Sequence, residues 1–290
     1  MRRKTTLNQD LEICALYRAG QIQQDIADRY NIDRTTVVGI LKRNNVVTRR
    51  AGSWAKKYEI DESLFEKIDC EWKSYFLGFM YADGNMQKYE VVLQLSEKDK
   101  EILDVFNKII FDSKRPLGYH KGRYGMAFGR RIYTKPSYRF RIINKKIAQD
   151  LRLFGLKPRK SLTLEMPNQE QVPGELMRHF IRGYFDGDGS VTIKPRNNRT
   201  HLRHAFSINS SRMFCAQLKD FFLQTQDIKC YISRDRRKKI DKLVTTSKEQ
   251  MLKLYNYFYS NATIFLKRKK NIFQNVTKDS HDVFQDYVVA

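Results

Sequence analysis

Two aspartates more than 100 residues apart, Asp83 and Asp188, occupy the same place in two matching nonapeptides. The first is Phe76-Leu77-Gly78-Phe79-Met80-Tyr81-Ala82-Asp83-Gly84, the second Ile181-Arg182-Gly183-Tyr184-Phe185-Asp186-Gly187-Asp188-Gly189. Two carboxylates brought side by side repel, and a shared cation or a proton on one of them relieves the repulsion. Mg²⁺ (or Mn²⁺) suits such a pair, because a hard cation takes one or two carboxylates and completes its shell with phosphate oxygens. The chemistry open to that arrangement is phosphodiester hydrolysis, in which metal polarises the phosphate, helps generate hydroxide and stabilises the leaving oxygen. A basic cluster follows each nonapeptide, Lys157-Pro158-Arg159-Lys160 and Lys267-Arg268-Lys269-Lys270. Asp83 to Lys160 is 77 residues and Asp188 to Lys269 is 81. Lys160 and Lys269 are candidates to stabilise developing negative charge or to order the attacking water, with Lys270 adjacent as a rival for the second position.

The elements that must position these groups follow from the small residues. Gly78 and Ala82 lie four apart and share one helix face, as do Gly183 and Gly187. A helical glycine costs about 1 kcal/mol relative to alanine, and the same defect in two helices points to close packing of one on the other. That packing creates a pseudo-two-fold axis and brings Asp83 and Asp188 together at the helix ends, where Gly84 and Gly189 turn the chain into strands. Each nonapeptide is followed by strand-like alternation, a helical stretch (98–110; 211–225), two more strand-like runs, a final helix and the basic cluster. The agreement of the two intervals predicts an α+β fold of tandem αββαββα repeats, over 71–165 and 166–275, with a tail at 276–290. An Asp-Gly pair is also an ordinary turn, but duplication with matching lysines argues for more. An EF-hand is excluded, since the other loop ligands and the closing Glu are absent.

On these residues the chain resembles the LAGLIDADG homing endonucleases in their single-chain, two-motif form, over about residues 71 to 275. The resemblance implies Asp83 and Asp188, at the eighth motif position, as metal-binding catalytic acids, and Lys160 and Lys269 as the active-site lysines. It implies a monomer whose sheets form a saddle on double-stranded DNA. Both strands of a long asymmetric target would be cut across the minor groove, leaving short 3′ overhangs, in the service of a mobile element. The first motif departs from the family pattern with Tyr81 where the second has Asp186, at a position that is not the catalytic one.

Strand alternation supplies a DNA face. Val191 and Ile193 point one way and Thr192, Lys194 and Arg196 the other; on the return strand Leu202, Phe206 and Ile208 face the core, and His201, Arg203, Ser207 and Asn209 face out. In the first repeat Asn85 and Gln87 precede Val91, Leu93 and Leu95, which alternate with Glu90, Val92 and Gln94, and Arg139 and Arg141 alternate with Tyr138, Phe140 and Ile142. Antiparallel ribbons fit the major groove, where Arg pairs with guanine and Gln or Asn with adenine. The run Arg234 to Lys239 reads as a hairpin on phosphates. Residues 1–50 read as an all-α helix-turn-helix. Leu11, Cys14, Ala15 and Ile22 form one apolar face, Gly20 ends the first helix, a second helix runs from Gln23 to Tyr30, Asn31-Ile32 turns, and Asp33 caps a third through Arg43. Arg34, Thr35, Thr36 and Lys42 would lie on the recognition helix. A linker over 51–70 separates this domain from the repeats.

The whole composition agrees. In 290 residues, 55 Lys and Arg outweigh 32 Asp and Glu, a formal charge of +23, while 41% hydrophobic residues suffice for a core. Such a charge favours a polyanion, because each neutralised phosphate releases counterions. No run approaches about 18 apolar residues, which argues against a membrane span. The polar start lacks a signal peptide's apolar region, which points to the cytoplasm. Scattered Cys14, Cys70, Cys215 and Cys230 read as reduced thiols rather than a zinc site. The end, Tyr-Val-Val-Ala, lacks an intein's His-Asn pair, which favours free-standing expression. The alternatives on the same fold are a non-catalytic DNA-binding regulator, disfavoured by retention of both aspartates, and an RNA-binding intron maturase, disfavoured by the helix-turn-helix.

Overall fold

The chain divides into two units, Met1–Lys57 and Tyr58–Ala290. The computed structural model describes residues 5–48, 58–127, 129–158, 160–195, 202–234 and 239–276.

The first unit is three helices, α1 (Leu7–Arg18), α2 (Gln23–Arg29) and α3 (Arg34–Arg43). Thr6 and Gln9 close the start of α1 with a reciprocal capping box. Gly20 (φ +100°) and Asn31 (φ 50°) supply the left-handed turns between helices. The buried face of α1 is Asp10, Ile13, Cys14 and Tyr17. The expected face was rotated from this one: Leu11 is 58% exposed and Ala15 is exposed too. A buried carboxylate explains the difference, since Asp10 accepts from Thr5 Oγ1 (2.6 Å) and Arg43 Nη2 (3.4 Å) and thereby ties α1 to α3. Ala27 and Val37 are fully buried where α2 meets α3.

The second unit holds two copies of one pattern. The first is α4 (Glu71–Ala82), β1 (Asn85–Met86), β2 (Glu90–Ser96), α5 (Lys100–Phe111), β3 (Gly118–His120), β4 (Arg123–Ala127), β5 (Arg130–Thr134), β6 (Ser137–Ile143) and α6 (Lys145–Leu153). The second is α7 (Gly174–Asp188), β7 (Gly189–Pro195), β8 (Leu202–Ser210), α8 (Arg212–Gln226), β9 (Tyr231–Arg234), β10 (Asp241–Thr245), α9 (Lys248–Tyr259) and α10 (Lys267–Asn275). The antiparallel sheets have matching orders, β1-β2-β6-β3 and β7-β8-β10-β9. Tandem αββαββα repeats are thus present, with one addition that the alternation did not announce. In the first copy β4 and β5 form a separate exposed ribbon inserted between β3 and β6. The linker expected over 51–70 is also shorter, because 58–70 belong to the second unit and Phe65 and Ile68 are buried in its core.

The motif helices α4 and α7 run side by side along their small residues. A Cβ on Gly78 would overlap the Phe180 carbonyl and lie 2.9 Å from Tyr184 N. One on Gly183 would overlap the Tyr75 carbonyl and lie 2.9 Å from Phe79 N. The two clashes are mirror copies, because Tyr75 and Phe180, and Phe79 and Tyr184, hold equivalent motif positions. Backbone-to-backbone packing of this closeness is the compensation for four small residues in helix interiors. Around the axis, however, the copies differ. Tyr75 donates to Asp186 Oδ2 (2.7 Å), whereas the equivalent pair, Phe180 and Tyr81, meets edge to face at 4.9 Å. Tyr81 instead sends its hydroxyl to the Phe154 carbonyl.

Candidate active site

Asp83 caps α4 and Asp188 is the last residue of α7. The helices are parallel, so both carboxylates leave from the same end. A Cβ on Gly187 would lie 3.3 Å from Asp83 Oδ2, which puts the Asp83 carboxylate across the axis beside the residue before Asp188. Both aspartates stay open to solvent on one side. Burial at the junction, then the Asp188 charge, push Asp83 up to about 6 against the pull of Lys269 and Lys160. Burial also raises Asp188, again opposed by the two lysines. A helix C-terminus carries partial negative charge, so carboxylates at two such ends concentrate negative potential. Two hard oxygen donors in that field fit a divalent cation and leave part of its shell for substrate oxygens.

Lys160 and Lys269 are brought to this junction from below. Helix ends leave carbonyls without intrahelical partners, and these lysines take them. Lys160 Nζ donates to the carbonyls of Ala82 (3.4 Å) and Gly84. Lys269 Nζ donates to those of Phe185 (2.8 Å), Gly187 (3.0 Å) and Gly189 (2.7 Å). Ala82 and Gly84 are the motif equivalents of Gly187 and Gly189, so the lysines are symmetry mates. Lys270 is elsewhere, with its ammonium 4.0 Å over the Phe265 ring. Both bonded lysines are buried. Burial lowers the pKa of each, and that of Lys269 falls to about 8 despite Asp186. An ammonium has three N–H donors, and Lys269 spends all three on carbonyls. It therefore acts on the aspartates through its charge from behind, not as a free donor to a substrate.

The sheet faces turned away from the core collect most of the predicted DNA-reading residues. In the first repeat Asn85, Gln87, Gln94 and Arg141 are exposed and Arg139 is half-buried. Arg139 already donates to Gln94 Oε1 (2.8 and 3.2 Å), and Arg141 is paired with Glu90 at 3.5 Å, so this face is mixed in charge rather than purely basic. In the second repeat Thr192 and Arg203 are exposed. They line an open hollow of about 310 Å³ with Tyr231, Ser233, Lys242 and Thr246. Those last four were missed: Asp241–Thr245 is a strand without polar–apolar alternation, buried at four of its five positions. Ser207 is a correction: it is 5% exposed, because a small side chain on an inner strand is flanked by Ser190 and Val244. Lys194 lies on β7, but its side chain is outside the described residues, as are Arg196 and His201 entirely. Of the expected phosphate hairpin, 235–238 also lie outside them, and Arg234 is held by the buried Asp241 at 3.1 Å. In the first unit Arg34, Thr35 and Lys42 are exposed on α3 and Thr36 is half-buried. His204, which interrupts the core face of β8, is partly buried, and burial depresses its pKa.

Among the described residues no helix is long and apolar enough to cross a membrane, no group of three or more metal-ligating side chains occurs, and the four cysteines are free.

Residues 175–259 match the family model of the LAGLIDADG-like domain. The chain is 31% identical over 164 residues to the DNA-directed RNA polymerase subunit Rpo1C of Methanocaldococcus jannaschii, covering 55% of this chain and 17% of that protein. It is 32% identical over 161 residues to that organism's probable translation initiation factor IF-2, covering 53% of this chain and 12% of the factor. The chain thus spans less than a fifth of either relative. Its fold is similar to that of the homing endonuclease I-WcaI bound to its DNA recognition sequence, with a TM-score of 0.50 at 13% identity, over 79% of this chain and 96% of that one.

Proposed function

We propose, from the premise that this chain carries a LAGLIDADG-like domain within a meganuclease fold, that it is a site-specific endonuclease hydrolysing both strands of double-stranded DNA with a divalent metal. One observation carries the reading: two carboxylates lie together at the ends of paired helices, each backed by a buried lysine on equivalent carbonyls. Short segments of two relatives with unrelated roles, a polymerase subunit and an initiation factor, align with this chain. That suits a module carried from one protein to another.

Asp83 and Asp188 would hold Mg²⁺ or Mn²⁺, which supplies Lewis-acid stabilisation of charge on the phosphoryl oxygens. The aspartates must both be ionised to do so, and the cationic lysines behind them favour that state. Their symmetry about the helix axis offers one carboxylate to each strand of a duplex. The outward residues of β2, β6, β8, β9 and β10 would read base edges in the major groove, and the exposed residues of α3 would add contacts that lengthen the site. By family likeness the cut would leave short 3′ overhangs. The active species would be a monomer, since both repeats lie in one chain.

The test is cleavage of a randomised duplex library with Mg²⁺, comparing wild type with Asp83→Asn/Asp188→Asn. Enriched double-strand cuts that vanish in the variant are expected. Specific binding without cuts in either protein would mark a regulator, and absence of specific DNA binding would overturn the reading in favour of an RNA partner.

A further inference from the structure

The N-terminus of α10, which carries Lys269, contains no capping side chain of its own. Its amides are taken by carboxylates from distant parts of the chain. Leu266 N donates to Asp186 Oδ2 (2.9 Å), and Lys267 N donates to Glu101 Oε1 (3.2 Å) on α5 of the other repeat. Beside these, Arg268 grips Asp99, the residue preceding α5, through two bonds, Nε to Oδ1 (2.5 Å) and Nη2 to Oδ2 (2.8 Å). Asp99 is 13% exposed in its side chain, so the pair is shielded on the carboxylate side. A two-pronged guanidinium–carboxylate pair fixes orientation as well as distance. Lys267 adds an ion pair to Glu101 at 3.5 Å. The two residues before Lys269, Lys267 and Arg268, are thus held by the first repeat, while Leu266 and Lys269 itself are bonded to the second repeat's motif.

We propose that Asp99 and Arg268 are positioning residues for Lys269, holding α10 so that its ammonium reaches all three motif carbonyls, and that their loss impairs selectively the half of the site that Lys269 serves. The consequence for cleavage rests on the endonuclease reading above; the positioning itself does not. Lys160 gains its place by a different route. The segment after it is anchored on α8 by Ser211 Oγ to the Leu164 carbonyl and by Met166 N to Gln217 Oε1 (2.8 Å). Breaking the Asp99–Arg268 pair therefore leaves Lys160 in place. Displacement of a catalytic group by about 1 Å costs on the order of 100-fold in rate, so one strand is cut normally and the other slowly.

Two measurements on the full chain test this. The first is competitive acylation with acetic anhydride, read lysine by lysine by mass spectrometry. In the wild type Lys269 is protected, since it is buried and all its N–H groups are bonded. Arg268→Gln and Asp99→Asn should each raise its reactivity by on the order of tenfold, the double variant should add nothing further, and Arg268→Lys should recover part of the protection. Lys160 should be unchanged throughout. Unaltered Lys269 reactivity, or an equal rise at Lys160, overturns the proposal whether or not the protein cuts DNA. The second is the product distribution on a supercoiled plasmid bearing the selected target. Nicked circles broken in one strand only should accumulate with either variant. Unchanged coordination of the two cuts in an active wild type would overturn the selective effect, whereas a wild type that leaves the plasmid intact would overturn the endonuclease reading and leave the acylation result to decide the positioning.

Discussion

At the residue scale the paired aspartates place opposite demands on pH for stability and for the proposed catalysis. The Asp83 carboxyl is raised from 3.8 to about 6 in the metal-free fold, by burial and by Asp188. Between those values the folded chain keeps a proton that the unfolded chain has lost, so stability falls as pH rises across that window and the deficit persists above it. Asp83→Asn removes the deficit. Without divalent cation the variant should melt above wild type at pH 7.5 and level with it below pH 3.8, as thermal scans at a series of pH values would report. Catalysis should respond the other way: Asp188→Asn should abolish cleavage and leave target binding nearly unchanged, and equal loss of both in a binding and cleavage assay would sink the metal-site assignment. Lys269→Met should be costly even without DNA. It removes a donor from three carbonyls, of which that of Phe185 keeps the Gly189 N–H, and an unsatisfied buried polar group costs about 1–3 kcal/mol. Urea denaturation would show a reduced midpoint.

At the element scale the helix pair admits one methyl at its last crossing point. Ala82 faces Gly187, and a Cβ on Gly187 would overlap that of Ala82. Gly187→Ala alone should destabilise the fold by about 1–3 kcal/mol through overpacking, and Ala82→Gly/Gly187→Ala should restore most of it. Additive losses in calorimetry would show that this crossing is not what limits the site. It was legible in the sequence because small residues four apart mark one helix face, whatever lies opposite. The paired sheets were legible too, since a half-buried strand advertises itself by alternation. What alternation does not report is crowding within a face. Ser207 points away from the core as its register demands and is still covered by its neighbours on β7 and β10. Nor does it report pairing between residues remote in the chain. Arg268 and Asp99 are 169 positions apart, and nothing local distinguishes either from an ordinary surface charge. The β4–β5 ribbon escaped for a third reason: an insertion in one copy has no counterpart to be compared with.

At the scale of the whole molecule the proposed function divides the work of binding between the two units. Residues 1–57 form a compact unit of their own, so their removal should leave a folded second unit that binds its target less tightly. The logarithm of affinity should also fall less steeply with the logarithm of salt, by about 0.9 for each phosphate that the three helices had neutralised. Unchanged affinity and slope in a filter-binding titration would show that the three-helix unit does not touch DNA. Within the second unit the unlike pairs at the axis, Tyr75 with Asp186 and Phe180 with Tyr81, have a bearing on ancestry and on engineering. Were the second repeat to associate with a copy of itself, Asp186 would meet Phe180 instead of a hydroxyl, and a carboxylate would be sealed in without that donor. Were the first to do so, Tyr81 would face Tyr75 in place of the flat edge of a phenylalanine. Each half has thus lost the means of being its own mate. If the chain were cut between residues 165 and 174 and the pieces expressed separately, they should find each other in a mixture and ignore their own kind, a ready-made obligate heterodimer.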